Sequence, residues 1–181
     1  MLISTSDSVT IKDATVTKTG DSDSGTSVST MNGGTLTSNN GHVFHVTNTS
    51  AVIDLSDVKI INNDSENILL SVCADGWNGD TNSATVNADD QELEGTILVG
   101  TDSKLTISLK NGSSFTGTIS GNITNAKGET VSEEVGEAAV SIDQSSTWTL
   151  TADTFISSFD GDMSSVNTDG YTLYVNGEAM N

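Results

Sequence analysis

The residues best suited to chemistry in this sequence surround Trp77, in the segment Ala74–Ser83 with the sequence ADGWNGDTNS. A tryptophan offers a flat apolar face, and Asp75, Asn78 and Asp80 place hydrogen-bonding groups close to it. Sugar-binding sites combine these two features, so the segment predicts a carbohydrate contact. The alternative is that Trp77 folds back and covers one side of the molecule, in which case it binds nothing.

Acidic residues form a second candidate site, and the ion that they could hold is Ca²⁺. The densest run is Asp89–Glu94, in which Asp89, Asp90 and Glu92 are the candidate ligands. A smaller acidic cluster consists of Glu133, Glu134 and Glu137. No EF-hand or β-roll calcium motif is present, so a solvated acidic surface is the alternative for both clusters. No other cofactor is expected.

The charge balance excludes several classes of partner. The chain has 25 acidic residues against six lysines and no arginine, for a net charge of −19. Such a surface repels phosphate backbones and anionic headgroups, so nucleic acid and membrane surfaces are not expected partners. No apolar run approaches the roughly twenty residues that span a bilayer, so membrane insertion is not expected either.

Short apolar pairs recur along the chain and predict the elements that position these residues. The pairs are Phe44/Val46, Leu70/Val72, Ile97/Val99 and Val140/Ile142, with Ile119 marking an intermediate repeat. A second strand follows each pair, beginning at Ser50, Ser83, Ser103 and Ser146. The alternation of apolar with polar residues is that of β-strands, and repeats of about 20–27 residues leave room for two or three strands each.

Other segments carry their own local predictions. Ser8–Gly20 and Gly33–Gly41 have the same alternating pattern, and we expect further strands of the same kind there. The acidic segment Val131–Ala139 predicts a loop or a short helical insertion. Gly170–Asn181 predicts a terminal strand whose aromatic residues help to cap the core, and Trp148 is expected within the core.

Together these patterns predict one all-β domain over residues 1–181, a right-handed parallel β-helix (β-solenoid) with short strands, irregular loops and a C-terminal capping strand. Each repeat is too small to bury its own apolar side chains, but stacked repeats share one core. Asparagine and glycine supply the left-handed backbone at the corners. Because Met1 opens abruptly on an apolar stretch, the domain could be the C-terminal part of a longer solenoid.

Several segments resemble a known family. VTIKDATVTKTGDS, MNGGTLTSNNGHVFHVTNTSAVIDLSDV and LKNGSSFTGTI are similar to the β-helix repeats of adhesin-like, pectin-lyase-fold surface proteins of gut Clostridia and their relatives. The resemblance covers Ser8 to Ile119 and continues weakly to the C-terminus. It implies export and display at the bacterial cell surface. The wider fold includes pectate lyases, polygalacturonases, sugar-binding modules and adhesins.

Enzymatic function is disfavoured. The lyases and hydrolases of this fold grip sugar carboxylates with basic residues, and a chain without arginine cannot form a bidentate clamp. His42 and His45 flank Phe44 without a metal-ligand spacing, so we expect solvated histidines. Cys73, the single cysteine, follows Val72 and is expected to face outward as a thiol without a chemical role.

The sequence therefore predicts a non-catalytic extracellular module, an adhesin or carbohydrate-binding domain that contacts polysaccharide or a host surface. The alternative is a structural stalk that projects other domains. A polysaccharide lyase or hydrolase and an ice-binding protein rank below both. Ice binding ranks low because the T-x-T units do not recur at one aligned position in each repeat.

Overall fold

The computed structural model describes residues 9–13, 15–21, 26–74, 82–124 and 128–180. Within those ranges every regular element is a β-strand except one 3-10 turn at Met163–Ser165. In the longer strands every second side chain is buried, and the buried positions hold mainly alanine, valine, isoleucine and leucine. This is the pattern of a sheet with one face in the core.

The largest sheet, which we call the long sheet, contains seven strands. They are β2 (Thr15–Asp21), β3 (Thr26–Asn32), β6 (Thr49–Ser56), β9 (Asn82–Asp89), β12 (Lys104–Lys110), β17 (Glu137–Ile142) and β20 (Ser158–Asp160). β2 pairs antiparallel with β3, and the other neighbours are parallel. Aligned positions stack in columns, and one buried column consists of Ile53, Val86, Ile107 and Val140.

The strands that follow those of the long sheet form two smaller sheets, which we call the split sheet. One half contains β1 (Val9–Lys12), β4 (Thr35–Ser38) and β7 (Lys59–Asn62), and the other contains β10 (Glu92–Glu94), β13 (Ser114–Gly117), β18 (Thr147–Leu150) and β21 (Val166–Asn167). No ladder joins β7 to β10 in this described part of the chain. Gln91 bridges the break, because its side-chain amide accepts the N–H of Val58 at 2.8 Å and donates to the Val58 carbonyl at 2.7 Å.

A third group, the short sheet, is parallel throughout. It contains β5 (Phe44–Val46), β8 (Ile68–Val72), β11 (Thr96–Val99) and β14 (Ile119–Ser120). Two aligned columns run through it, Phe44 with Leu70, Ile97 and Ile119, and Val46 with Val72 and Val99. These columns confirm the predicted alignment of the first three apolar pairs and of Ile119.

Two further pieces complete the strand list. β15 (Ile123–Thr124) and β16 (Thr130–Ser132) form an antiparallel side hairpin between β14 and β17. β19 (Thr154–Ile156), β22 (Leu173–Val175) and β23 (Glu178–Met180) form the terminal sheet. In the terminal sheet β22 is parallel to β19, and β23 returns antiparallel to β22.

From β3 to β14 the chain visits the long sheet, the split sheet and the short sheet in a fixed order and then repeats. Buried side chains from all three sheets form one apolar cluster. The corner between the long and split sheets uses left-handed backbone at Asp57, Asp90 and Asn111, with φ angles of 52°, 50° and 57°. The molecule is therefore all-β with parallel sheets, an arrangement consistent with a β-helix.

Two predicted assignments late in the chain are wrong by one strand. The pair Val140/Ile142 lies in the long sheet beside Ile107, not in the short sheet. The strand that follows Ser146 is β18, which lies in the split sheet beside β13. The side hairpin adds residues to this repeat, so assigning strands to sheets by their spacing in the sequence gave the wrong sheet here. The earlier second strands, β6, β9 and β12, are neighbours in the long sheet as predicted.

Other local predictions also change. Val131–Ala139 is part loop and part strand, since it holds the end of β16 and the start of β17, and it contains no helix. β1 pairs antiparallel with β4, and β2 pairs antiparallel with β3, so neither is a parallel repeat strand. Of the two N-terminal segments only Gly33–Gly41 supplies one, since β4 is parallel to β7. Leu173 is buried as a capping residue should be, but Tyr171 is 43% exposed, so aromatic capping is wrong there. Trp148 is buried in the core, as predicted.

Candidate functional site

The predicted carbohydrate contact at Trp77, with Asp75, Asn78 and Asp80, falls within residues 75–81. These residues lie outside the part of the chain that the structure describes. A sugar contact at Trp77 therefore stays a prediction, and the candidate site must be sought among the described residues.

The candidate calcium ligands lie at one corner of the molecule. Asp89 ends β9, and its Oδ1 accepts a hydrogen bond from the Asn111 side chain at 2.8 Å. Asp90 forms the left-handed corner itself, and Glu92 begins β10 with its side chain exposed. Among the described residues, no group of three His, Cys, Asp or Glu side chains is placed to hold a metal ion. Calcium binding at this corner stays a prediction.

A large concave surface, which we call the histidine groove, lies on the side of the short sheet away from the apolar core. Its volume is about 870 Å³. Ser71 and Leu98 of the short sheet and Ile123 of the side hairpin line it. His42 and His45 also line it, with ring centroids 5.7 Å apart. Both histidines are half-buried, so the prediction of solvated side chains is wrong.

Cys73 lies in a small apolar cluster beside this groove. The cluster consists of Ile68, Cys73, Leu98 and Ile123 and is separate from the main core. The Cys73 Sγ is 3.4 Å from the Ser71 Oγ, and the residue is only 4% exposed. The thiol thus lies away from the main core, as an outward-facing residue should, but it is not open to solvent because the side hairpin shares its cluster.

Asp64 supplies a fixed negative charge to the histidine groove. One carboxylate oxygen accepts the N–H of Gly41 at 2.7 Å, and the other accepts the N–H of Glu66 at 2.9 Å. These hydrogen bonds, with a smaller contribution from nearby His42, hold the pKa of Asp64 below its ordinary value.

The low pKa of Asp64 predicts that stability falls in acid. A carboxyl group whose pKa is lowered by folding stabilises the native state above its unfolded pKa, near 3.8 here, and that stability is lost as the pH falls further. Asp143, whose pKa is lowered chiefly by the N–H of Asn111, acts in the same direction. We expect the urea midpoint to be nearly constant above about pH 5 and to fall steadily as the pH is lowered below about 4. In an Asp143→Asn variant the urea midpoint should fall less over the same pH range. A fall as large as that of the unmodified protein would contradict this account.

A second concavity, the aromatic groove, has a volume of about 390 Å³. It is lined by residues 119–122 and 133–135, which flank the side hairpin, and by Asp153 and Phe155 at β19. Phe155 lines it and is 49% exposed. The Phe155 ring stacks on Tyr174, with centroids 4.5 Å apart and planes within 6° of parallel. The two residues are aligned on the parallel strands β19 and β22, so the stacking distance follows the spacing between strands. Phe155 is thus an exposed aromatic side chain whose ring rests on the half-buried Tyr174, and such an apolar patch is an informative feature of a protein surface.

Polar groups complete the aromatic groove. They are Ser120, Asn122, Glu133, Glu134 and Asp153. Asp153 is held in place because one carboxylate oxygen accepts the N–H of Thr172 at 2.9 Å. Among the described residues that line this groove, none is basic. The groove thus places an apolar ring opposite hydroxyl, amide and carboxylate groups, a combination that suits a ligand with both apolar and hydroxylated faces.

The two grooves meet at Ser120 and Asn122, which line both of them. The side hairpin leaves the short sheet at Gly121, where an added Cβ would lie 2.0 Å from the Glu134 backbone. Only glycine permits this close approach of the two legs of the hairpin. The hairpin therefore divides a longer amphipathic surface into its histidine and aromatic parts.

Phe155 and Tyr174 were missed by reasoning from the sequence. Each is the middle residue of a three-residue strand, between buried Thr154 and Ile156 in one case and after buried Leu173 in the other. Side chains alternate along a strand, so the same period points both aromatic rings outward. The alternation along each strand was visible in the sequence. The pairing of β19 with β22, which brings the two rings together, was not.

Comparison with protein-family models, with curated proteins and with solved structures finds no match. The resemblance to adhesin-like surface proteins therefore stays a prediction. The described residues include no helix long and apolar enough to cross a membrane. What this chain can do must be argued from its own grooves and charges.

Proposed function

We propose that the chain is a right-handed parallel β-helix that acts as a non-catalytic carbohydrate-binding module, exported and displayed at a bacterial cell surface. The fixed order of long, split and short sheets supports a β-helix, as does the pairing of strands with their equivalents in the next repeat everywhere from β3 to β14 except between β7 and β10. Right-handed crossovers are the strong preference for parallel strands. The absence of arginine supports a binding role rather than the carboxylate-gripping chemistry of a lyase.

The aromatic groove is the proposed sugar site, and the stacked pair of Phe155 and Tyr174 is the observation that carries the proposal. Sugar rings have an apolar face that packs on an aromatic ring and hydroxyl groups that need hydrogen-bond partners. Asn122 and Asp153 supply such partners within the same groove. A structural stalk needs no exposed aromatic ring in a groove, supported from behind by a second ring, so this feature favours binding over the stalk.

Replacing Phe155 by alanine is the test of the proposed site. We expect the affinity for a bound polysaccharide to fall by about tenfold or more, because the variant removes the flat surface on which the sugar packs. Binding would be found first on a glycan array and then measured by isothermal titration calorimetry.

Tyr171→Ala is the matched control, since Tyr171 is a comparably exposed aromatic residue that lines neither groove. We expect it to bind like the unmodified protein. If Trp77→Ala abolished binding while Phe155→Ala did not, the sugar site would lie in residues 75–81. If no polysaccharide bound, the stalk would replace the binding module.

A further inference from the structure

The aromatic groove carries a charge that points to a narrower ligand class. Resting on the proposed carbohydrate function, we propose that this groove selects sugars that bear a free amino group, such as glucosamine units, over neutral and acidic sugars. Two independent features of the groove support this choice: its carboxylates and its exposed aromatic ring.

The first feature is the set of carboxylates. Glu133 and Glu134 follow the side hairpin on one side of the groove, and Asp153 precedes β19 on the other. No basic side chain lines the groove among the described residues, and the chain as a whole has a net charge of −19. A uronic acid or sulfated sugar would meet only like charge there. An ammonium group would instead meet carboxylates on both sides of the groove.

The second feature is the ring of Phe155. Tyr174 stacks on it in parallel, and Phe155 remains 49% exposed where it lines the groove. An aromatic face attracts a cation through its quadrupole, and nearby carboxylates add a separate Coulomb attraction for the same cation. The same face also packs against the apolar side of a sugar ring. An amino sugar uses both properties of the ring, whereas a neutral sugar uses one.

The geometry of Asp153 adds a fixed point. Its Oδ1 accepts the Thr172 N–H at 2.9 Å, which ties the side chain to the start of the terminal sheet. A carboxylate held in this way loses little rotamer freedom when it binds a ligand. Asp153→Asn keeps the acceptor oxygen and removes the charge, so it tests the charge without removing the backbone hydrogen bond.

The experiment compares two ligands that share one backbone. A β-1,4-linked glucosamine tetramer and its fully N-acetylated form are titrated by calorimetry at low salt and about pH 5.5, so that the amines of the first ligand are protonated. We expect the free amine form to bind about tenfold more tightly, because several exposed charge pairs each contribute modestly. The preference should shrink when salt is added, since exposed pairs are screened.

Variants separate the groove from the general charge of the molecule. Asp153→Asn and the double variant Glu133→Gln/Glu134→Gln should each reduce the preference for the amine form. The double variant Glu92→Gln/Glu94→Gln makes the same change in charge on β10, outside the groove, and should leave the preference intact. Phe155→Ala should weaken binding of both ligands.

Equal binding of the two tetramers would overturn this inference and leave the carbohydrate function standing. An equal loss in the β10 variant would also overturn it, because attraction would then come from overall charge. The inference would also be overturned if a lysine tetramer bound as tightly as the glucosamine tetramer and bound the Phe155→Ala variant equally well. Failure of both sugars, and of every other glycan, would remove the proposed function as well.

Discussion

Replacing Trp148 by alanine is expected to lower the free energy of unfolding by about 3–5 kcal/mol, one of the largest single effects in this molecule. Trp148 is fully buried, and its ring stacks on Phe115 in the preceding repeat, with centroids 5.7 Å apart. Its indole N–H donates to the Gly117 carbonyl at 3.1 Å. The variant removes the packing, the stacking and the partner of a buried carbonyl at once.

Urea unfolding followed by far-UV circular dichroism measures this loss. Thr149→Ala is the matched control, because Thr149 is the half-buried neighbour of Trp148 on β18 and lies outside the main core. We expect it to change stability by less than about 1 kcal/mol. A Trp148→Ala variant that unfolds within 1 kcal/mol of the unmodified protein would show that the repeats do not share one packed core.

Replacing Gln91 by methionine is expected to cost about 2–5 kcal/mol, although methionine has nearly the same volume. The Gln91 amide holds the break in the split sheet through both backbone groups of Val58, and its Nε2 also donates to the Glu92 carbonyl at 2.6 Å. Methionine leaves the buried N–H and carbonyl of Val58 without partners. The loss should therefore come from unmade hydrogen bonds rather than from a cavity.

Gln91→Glu is a further test of the hydrogen bonds made by Gln91. At neutral pH it places a carboxylate where the native side chain is 2% exposed, so it should be at least as unstable as Gln91→Met. Burial raises the pKa of the introduced carboxyl group, and its protonated form can both accept and donate. Its stability relative to Gln91→Met should improve as the pH falls toward 5. A Gln91→Met variant as stable as the native chain would mean that the break needs no bridge.

Sequence patterns predicted the short sheet well because each strand carries its own evidence. Phe44, Leu70 and Ile97 each have a valine two positions later, and they are aligned in the structure. The assignment became wrong after Ile119, since the side hairpin adds residues without adding a repeat. Apolar alternation reports that a strand exists, but all three sheets share that alternation. Which sheet a strand joins depends on the length of the preceding turn.

The candidate site was harder to predict, because the sequence separates its parts. Glu133 and Glu134 stood out as an acidic cluster, but nothing local indicated that Phe155 lies across a groove from them. Trp77 drew attention because glycines and acidic residues flank it directly. A groove built from a hairpin and the following repeat appears only once strand register is known. The backbone conformation at a corner depends on the residue at that position, so the left-handed conformation of Asn111 was predictable from its residue type.

The central claim is that a carbohydrate packs on the exposed face of Phe155, in the groove between the side hairpin and the terminal sheet. A crystal structure of the chain bound to the glucosamine tetramer tests it most directly. We predict a sugar ring parallel to the Phe155 ring, with its amino group within hydrogen-bond distance of Asp153, Glu133 or Glu134. A tetramer bound at residues 75–81 or on the long sheet, with Phe155 still open to water, would contradict the claim.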